Sequence, residues 1–147
     1  MTMTADTKHQ APRTLLVVAA ALINDDNEVL LAQRPKGKRL AGSWEFPGGK
    51  VEADESPEAA LARELKEELG ISVRHEDMEP FWFLSHDYTK EFGFHLLMPV
   101  YLIRAWKGTP KALEHDQIIW ELPEAMGELG MIEADMGLVE KLKLALG

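Results

Sequence analysis

Between Arg63 and Gly70 the chain reads RELKEELG, with three glutamates, Glu64, Glu67 and Glu68, inside five positions. On a helix these three share one arc, because residues three and four apart lie over one another. Like charges at that spacing cost about a few tenths of a kcal/mol per pair on an exposed helix, and more where water is excluded. A solvated acidic face tolerates the repulsion. A hard divalent cation converts it to coordination, since carboxylate oxygens are the donors that Mg2+ and Mn2+ prefer.

The surrounding residues specify a helix to carry that arc. Ser56 is an N-cap residue, and Pro57 stands at the first helical position, where its missing N–H leaves nothing unsatisfied. Leu61, Leu65 and Leu69 form a core-facing stripe, and Gly70 is the stop signal. Upstream, Thr14–Ile23 and Glu28–Arg34 read as two strands of a hairpin turned by Asn24-Asp25-Asp26-Asn27. The segment from Pro35 to Ser43 is a basic loop. Trp44–Phe46 reads as a short strand running into a turn at Pro47-Gly48-Gly49. Further strands are expected at Ile71–Arg74, Pro80–His86, Phe94–Trp106 and Gln117–Glu121. A last helix is expected over Asp135–Leu146, with Leu138, Val139, Leu142, Ala145 and Leu146 on one side. Met1–Pro12 is polar and reads as a mobile lead-in, leaving one domain over 13–147. The predicted class is α/β, a mixed β-sheet covered by helices on both faces.

The bulk numbers exclude several functions. A chain of 147 residues supports one domain with a substantial core. The formal charge of -9 argues against binding a nucleic-acid polymer, which needs a basic stripe to displace counterions. A single nucleotide stays compatible, because bound cations offset local carboxylates. Cysteine is absent, which fits a reducing cytoplasm and removes thiolate metal sites. The apolar run Thr14–Ile23 follows Lys8 and Arg13, as in a secretory leader. It is too short to span a bilayer, however, and a second apolar run follows it, so it is taken as a buried strand with no membrane partner.

From Gly49 the pattern continues with five residues, Glu55, seven residues, Arg63-Glu64-Leu65, one residue, Glu67-Glu68, one residue and Gly70-Ile71. Every specified position of this 23-residue stretch matches the Nudix signature, so the chain resembles the Nudix hydrolases, which cleave a nucleoside diphosphate linked to another moiety. The resemblance implies a Nudix-type α/β/α sandwich. It implies metal binding by Glu64, Glu67 and Glu68, helped by the Gly48 carbonyl and by Glu114 on a later loop, with Mg2+ as cofactor and Mn2+ as a substitute. Arg63 is expected to clamp Glu55, fixing the loop against the helix. The segments LLAQR, EFPGGK and AWKGTP resemble those of MutT-type pyrophosphohydrolases of oxidised purine nucleotides, and equally those of bacterial CTP pyrophosphohydrolases.

Carried over by position, Arg34 and, less directly, Lys50 match groups that meet the phosphates, and Phe46 matches an aromatic near the base. Asp135 aligns with an asparagine that reads the purine edge in MutT-type enzymes. An ionised carboxylate only accepts hydrogen bonds where an amide also donates. Asp135 therefore suits the exocyclic amine of cytosine or donors on the guanine edge, or else it caps the last helix. The implied reaction is substitution by water at a phosphorus of a nucleoside triphosphate, the β-phosphorus by analogy, giving monophosphate and pyrophosphate. Glu64 is the expected general base and Glu67 the alternative. A monomer or homodimer is expected. A silent nucleotide sensor and a purely structural acidic module are the rival classes, and the intact set of glutamates and arginine stands against the first.

Overall fold

The computed structural model describes residues 13–147, and the lead-in expected over Met1–Pro12 lies outside them. The central strand is β1 (Arg13–Leu22). It runs parallel to β6 (Phe94–Ile103) on one side, in the register Ala19↔Val100, and antiparallel to β4 (Gly48–Lys50) on the other. With β5 (Met78–Tyr88) added outside β6, the sheet order is β4-β1-β6-β5. A second sheet has the order β3-β2-β7, from β3 (Trp44–Glu45), β2 (Val29–Gln33) and β7 (Gln117–Glu121).

The apolar run of β1 lacks strand-like alternation because both of its faces are buried. Val18, Ala20 and Leu22 pack with Leu61, Leu65 and Leu69 of α1 (Pro57–Leu69). Ala19, Ala21 and Ile23 pack with Leu138, Val139 and Leu142 of α3 (Met136–Leu146). The result is a helix, a mixed sheet and a helix in three layers, as expected from the sequence. The caps of α1 also form as read. The Ser56 hydroxyl accepts from the Ala59 N–H at 3.0 Å, and Gly70 adopts φ +73° with its N–H on the Lys66 carbonyl.

Several expectations require correction. β1 and β2 are not a paired hairpin, since only Ile23 and Val29 bridge them. The turn itself forms, with the Asn24 side chain accepting from the Asp26 and Glu28 N–H groups at 3.0 and 2.9 Å. Both hydrogen-bonding edges of β1 are already taken by β4 and β6, so β2 departs into the second sheet. The turn at Pro47-Gly48-Gly49 is instead the entry to β4, whose pairing with β1 local sequence does not announce. Ile71–Arg74 is no strand. Ser72 alone exchanges two backbone hydrogen bonds with Lys107, and β6 accordingly ends at Ile103 rather than Trp106. Ala145 faces solvent, leaving the face of α3 narrower than expected. A four-residue helix, α2 (Thr89–Phe92), joins β5 to β6 where the sequence shows no periodicity long enough to reveal it. Among the described residues no helix is long and apolar enough to cross a membrane.

Candidate active site

The short strand β4 positions the acidic arc, and its glycines are there for room. A Cβ on Gly48 would lie 1.9 Å from the Val18 carbonyl oxygen, and one on Gly49 would lie 2.3 Å from the Glu64 carboxyl carbon. Without side chains, β4 pairs tightly with β1 and lets the carboxylates of α1 approach its backbone. The Gly48 N–H donates to Glu68 Oε1 at 3.0 Å.

Arg63 holds the flank of this arrangement. Its Nη2 and Nε donate to the two Glu55 oxygens at 2.6 and 3.2 Å, a two-point clamp of the geometry a guanidinium favours. Nη2 also reaches the Lys50 carbonyl at 3.1 Å. Nη1 donates to Glu64 at 2.9 Å and lies 3.5 Å from Glu67. The hydrogen bonds from Arg63, and one from the Glu52 N–H, hold the Glu55 carboxyl below the usual carboxylate range. Four of the residues singled out in the sequence therefore gather around one guanidinium.

The others surround a cleft of about 820 Å3 whose lining includes Arg34, Phe46, Gly48, Lys50, Glu68, Glu114 and Asp135. Glu68 is 7% exposed, and this burial pushes its carboxyl up to about 9, with the Glu64, Glu45 and Glu114 charges adding to the effect and the Gly48 N–H opposing it. Burial also raises the Glu64 carboxyl, against the pull of Arg63. Phe46 is buried, and its N–H donates to Asp135 Oδ2 at 3.3 Å. Asp135 is 5% exposed and makes no capping bond to α3, so the capping alternative does not hold. Burial and the nearby Glu45 charge push its carboxyl up to about 7.

Glu45 and His115 are among the residues of the cleft that were missed in the sequence. Glu45 accepts from Arg34 Nη1 at 3.1 Å, while Arg34 Nε donates to the Arg39 carbonyl at 2.6 Å. His115 Nε2 lies 3.0 Å from Glu45 and 3.9 Å from Glu68, so these side chains bridge the candidate phosphate-binding arginine to the acidic arc. Glu45 sits in a two-residue strand and His115 on an irregular loop, 70 positions apart, and no local pattern links them. Their place directly beside Phe46 and Glu114 was the only available signal.

The donor set suits a hard divalent ion. It consists of carboxylate oxygens and the Gly48 carbonyl, and burial raises the Glu68 carboxyl among them. The groups stand apart in this conformation, Glu64 and Glu67 turned to Arg63 and Glu68 to Gly48. Among the described residues no three acidic or imidazole side chains are already gathered as ligands.

A family model, the NUDIX domain, matches residues 13–141. The chain belongs to the NUDIX domain family. Members of this hydrolase family generally use divalent metal ions. This Nudix chain is 39% identical to the CTP pyrophosphohydrolase of Escherichia coli (strain K12), the match covering 86% of this chain and 90% of that one. It is 37% identical to the 8-oxo-dGTP diphosphatase of Haemophilus influenzae, over 88% and 93% of the two chains. The MutT NUDIX hydrolase from Burkholderia pseudomallei superposes with a TM-score of 0.79 at 30% identity, over 88% of this chain and 98% of that one. The fold is thus the Nudix sandwich, and the chain is a MutT-like Nudix hydrolase.

Proposed function

We propose that this Nudix hydrolase cleaves a nucleoside triphosphate to the monophosphate and pyrophosphate, with 8-oxo-dGTP as the preferred substrate and nucleotide-pool sanitation, and so protection of DNA, as its role. One observation carries the reading. A single cleft has cationic groups, Arg34 and Lys50, and carboxylates, Glu68 and Glu114, beside a buried polar group, Asp135. Polyphosphate and base each find matching chemistry there, and the volume suits a nucleotide. The 8-oxo-dGTP diphosphatases among its relatives support the substrate.

Glu64, Glu67, Glu68, Glu114 and the Gly48 carbonyl would hold the metal, Mg2+ or Mn2+ in its place, which when bound neutralises polyphosphate charge and lowers the pKa of a nearby water. Glu64 accepts the proton of the attacking water, and Glu67 is the alternative base. Water oxygen bonds to the β-phosphorus, the bridge to the α-phosphate breaks, and pyrophosphate separates from the monophosphate. Arg63 and Glu55 position Glu64 by holding its side of the helix against the loop. The Arg34 guanidinium presents a planar fork to phosphate oxygens. Asp135 reads the base. Burial and the Glu45 charge raise its carboxyl to about 7 and so favour the protonated form, which donates as well as accepts. That state restores the pattern of an amide at a position where the sequence alone suggested an acceptor only.

The second reading, a CTP or dCTP pyrophosphohydrolase, is favoured by the 39% identity to a protein of that name. A Nudix substrate with another group on the diphosphate remains the broader form of the same chemistry. Turnover of 8-oxo-dGTP, dGTP, CTP and dCTP under Mg2+, with the products identified, separates these readings. A higher kcat/KM for 8-oxo-dGTP is expected, and a large preference for cytidine nucleotides overturns the sanitation reading. Glu67→Gln is expected to lose at least about a hundredfold in kcat while folding normally. A rate near that of the unsubstituted enzyme removes Glu67 from the site.

A further inference from the structure

Two buried side-chain polar atoms have no hydrogen-bond partner among the described residues, Tyr88 Oη and His115 Nδ1. Both residues line the same cleft. Buried polar groups are almost always paired, so these two atoms are hydrogen-bonding groups that the described residues leave unsatisfied beside the cleft. The His115 ring lies on the acidic side, with its other nitrogen, Nε2, facing Glu45 and Glu68. Tyr88 lies on the other side. It ends β5, is 7% exposed, and its ring packs on Phe92 and Phe94 with centroids 5.2 and 5.9 Å away. This packing fixes where the hydroxyl can point.

Among the acids whose charges act on the phenol, Asp135 has the largest effect, and the Ala134 N–H faces the oxygen without meeting hydrogen-bond geometry. Even a closer approach of that N–H would leave the hydroxyl proton unspent, because it would use the oxygen only as an acceptor. Asp135 in turn engages the Phe46 N–H through Oδ2. The cleft therefore holds a carboxyl with one oxygen engaged beside an uncommitted hydroxyl.

We propose that Tyr88 is a specificity-determining residue, its O–H donating to an acceptor on the nucleobase edge while Asp135 takes the neighbouring N–H. The inference deepens the nucleotide reading and rests on it. It names the ligand as a base whose edge carries an acceptor next to a donor. A phenylalanine would fill the same space and pack on the same rings, so the hydroxyl is the part left without a role in the fold.

Tyr88→Phe removes that hydroxyl alone. Without ligand, its Tm is expected to equal or exceed that of the unsubstituted protein, since an unpaired buried group is deleted. For the preferred nucleotide, KM is expected to rise about threefold to tenfold with kcat little changed, the loss of one hydrogen bond made by the bound base. The ratio of kcat/KM between guanine and cytosine nucleotides should narrow. Binding of 8-oxo-dGMP, dGMP, CMP and dCMP by calorimetry reads the same contact without turnover. Equal affinities and equal preferences in the two proteins overturn the proposal, as does a fall in ligand-free Tm with the preferences unchanged, which would make the hydroxyl structural. If no triphosphate is cleaved but Tyr88→Phe still flattens the monophosphate affinities, the proposal stands and the hydrolytic reading fails. If the unsubstituted protein neither cleaves nor binds any of these nucleotides, both fail.

Discussion

At Asp135 a charge-bearing residue is almost fully buried beside the cleft, and that fixes the sign of its effect on stability. Its carboxyl is pushed from about 3.9 in an unfolded chain up to about 7 in the fold, chiefly by burial and then by Glu45. Between those values the folded state binds more protons than the unfolded one, so its contribution is complete below about 4 and declines as pH rises toward 7. Asp135→Asn keeps an oxygen for the Phe46 N–H and removes the titration. Relative to the parent, it should gain stability through that window and level off above it, by on the order of a few kcal/mol. Chemical denaturation of both proteins from pH 4 to 8 checks this, and a constant difference across the range would remove Asp135 as the source. Glu68 works in the same direction over a wider range, with its carboxyl up to about 9. A bound cation would reverse the preference of that carboxyl by favouring its ionised form.

Among the elements, β4 has few residues and a large share of the consequences. It closes the edge of β1, and its two glycines let the backbone meet the carboxylates of α1 without intervening atoms. Gly49→Ala places a methyl group 2.3 Å from the Glu64 carboxyl carbon, so the side chain must move. The expected outcome is a loss of activity of at least about tenfold, one or more kcal/mol in the barrier, with the Tm affected less than the rate. Ser56→Ala acts on the far end of α1. It removes a cap and should lower stability by about 1 kcal/mol with kcat unchanged. Steady-state kinetics and thermal melts on both variants separate the roles. Activity retained in Gly49→Ala would show that Glu64 does not need its present place.

Over the whole molecule, the fold sets two helices on opposite faces of one sheet and gathers the polar side chains at one end. With a formal charge of -9, the domain has no general need for more anions, yet Glu68 lies near enough to Glu64, Glu45 and Glu114 for their charges to act on it beside the cleft. A ligand that binds only the folded state raises its stability in proportion to occupancy. Mg2+ is therefore expected to raise the Tm in a concentration-dependent way, by about 2.7 kcal/mol of stability at a hundredfold excess over Kd. Glu68→Gln should reduce that shift. Thermal scans with Mg2+ and with matched ionic strength of NaCl check it, and identical curves would leave the acidic arc without a metal.

The helix with its caps, the leucine stripe, the acidic arc and the signature around Arg63 were all readable from the chain, because each depends on residues a few positions apart. So was the three-layer arrangement, since β1 is apolar along its length and flanked by one-sided helices. The pairing partners were not. β2 leaves β1 because both edges of that strand are filled by segments far away in sequence, and Ile71–Arg74 stays irregular because only Ser72 finds a partner. The same distinction holds in the cleft. Spacing marked Glu64, Glu67 and Glu68 as one acidic arc and the Nudix resemblance implied its metal role, but the burial that raises the Glu68 carboxyl, the turn of Asp135 toward Phe46, and the meeting of Glu45, His115 and Tyr88 around one cavity exist only after folding. Desolvation and long-range contact depend on the whole packed chain, and no local pattern of residues encodes them.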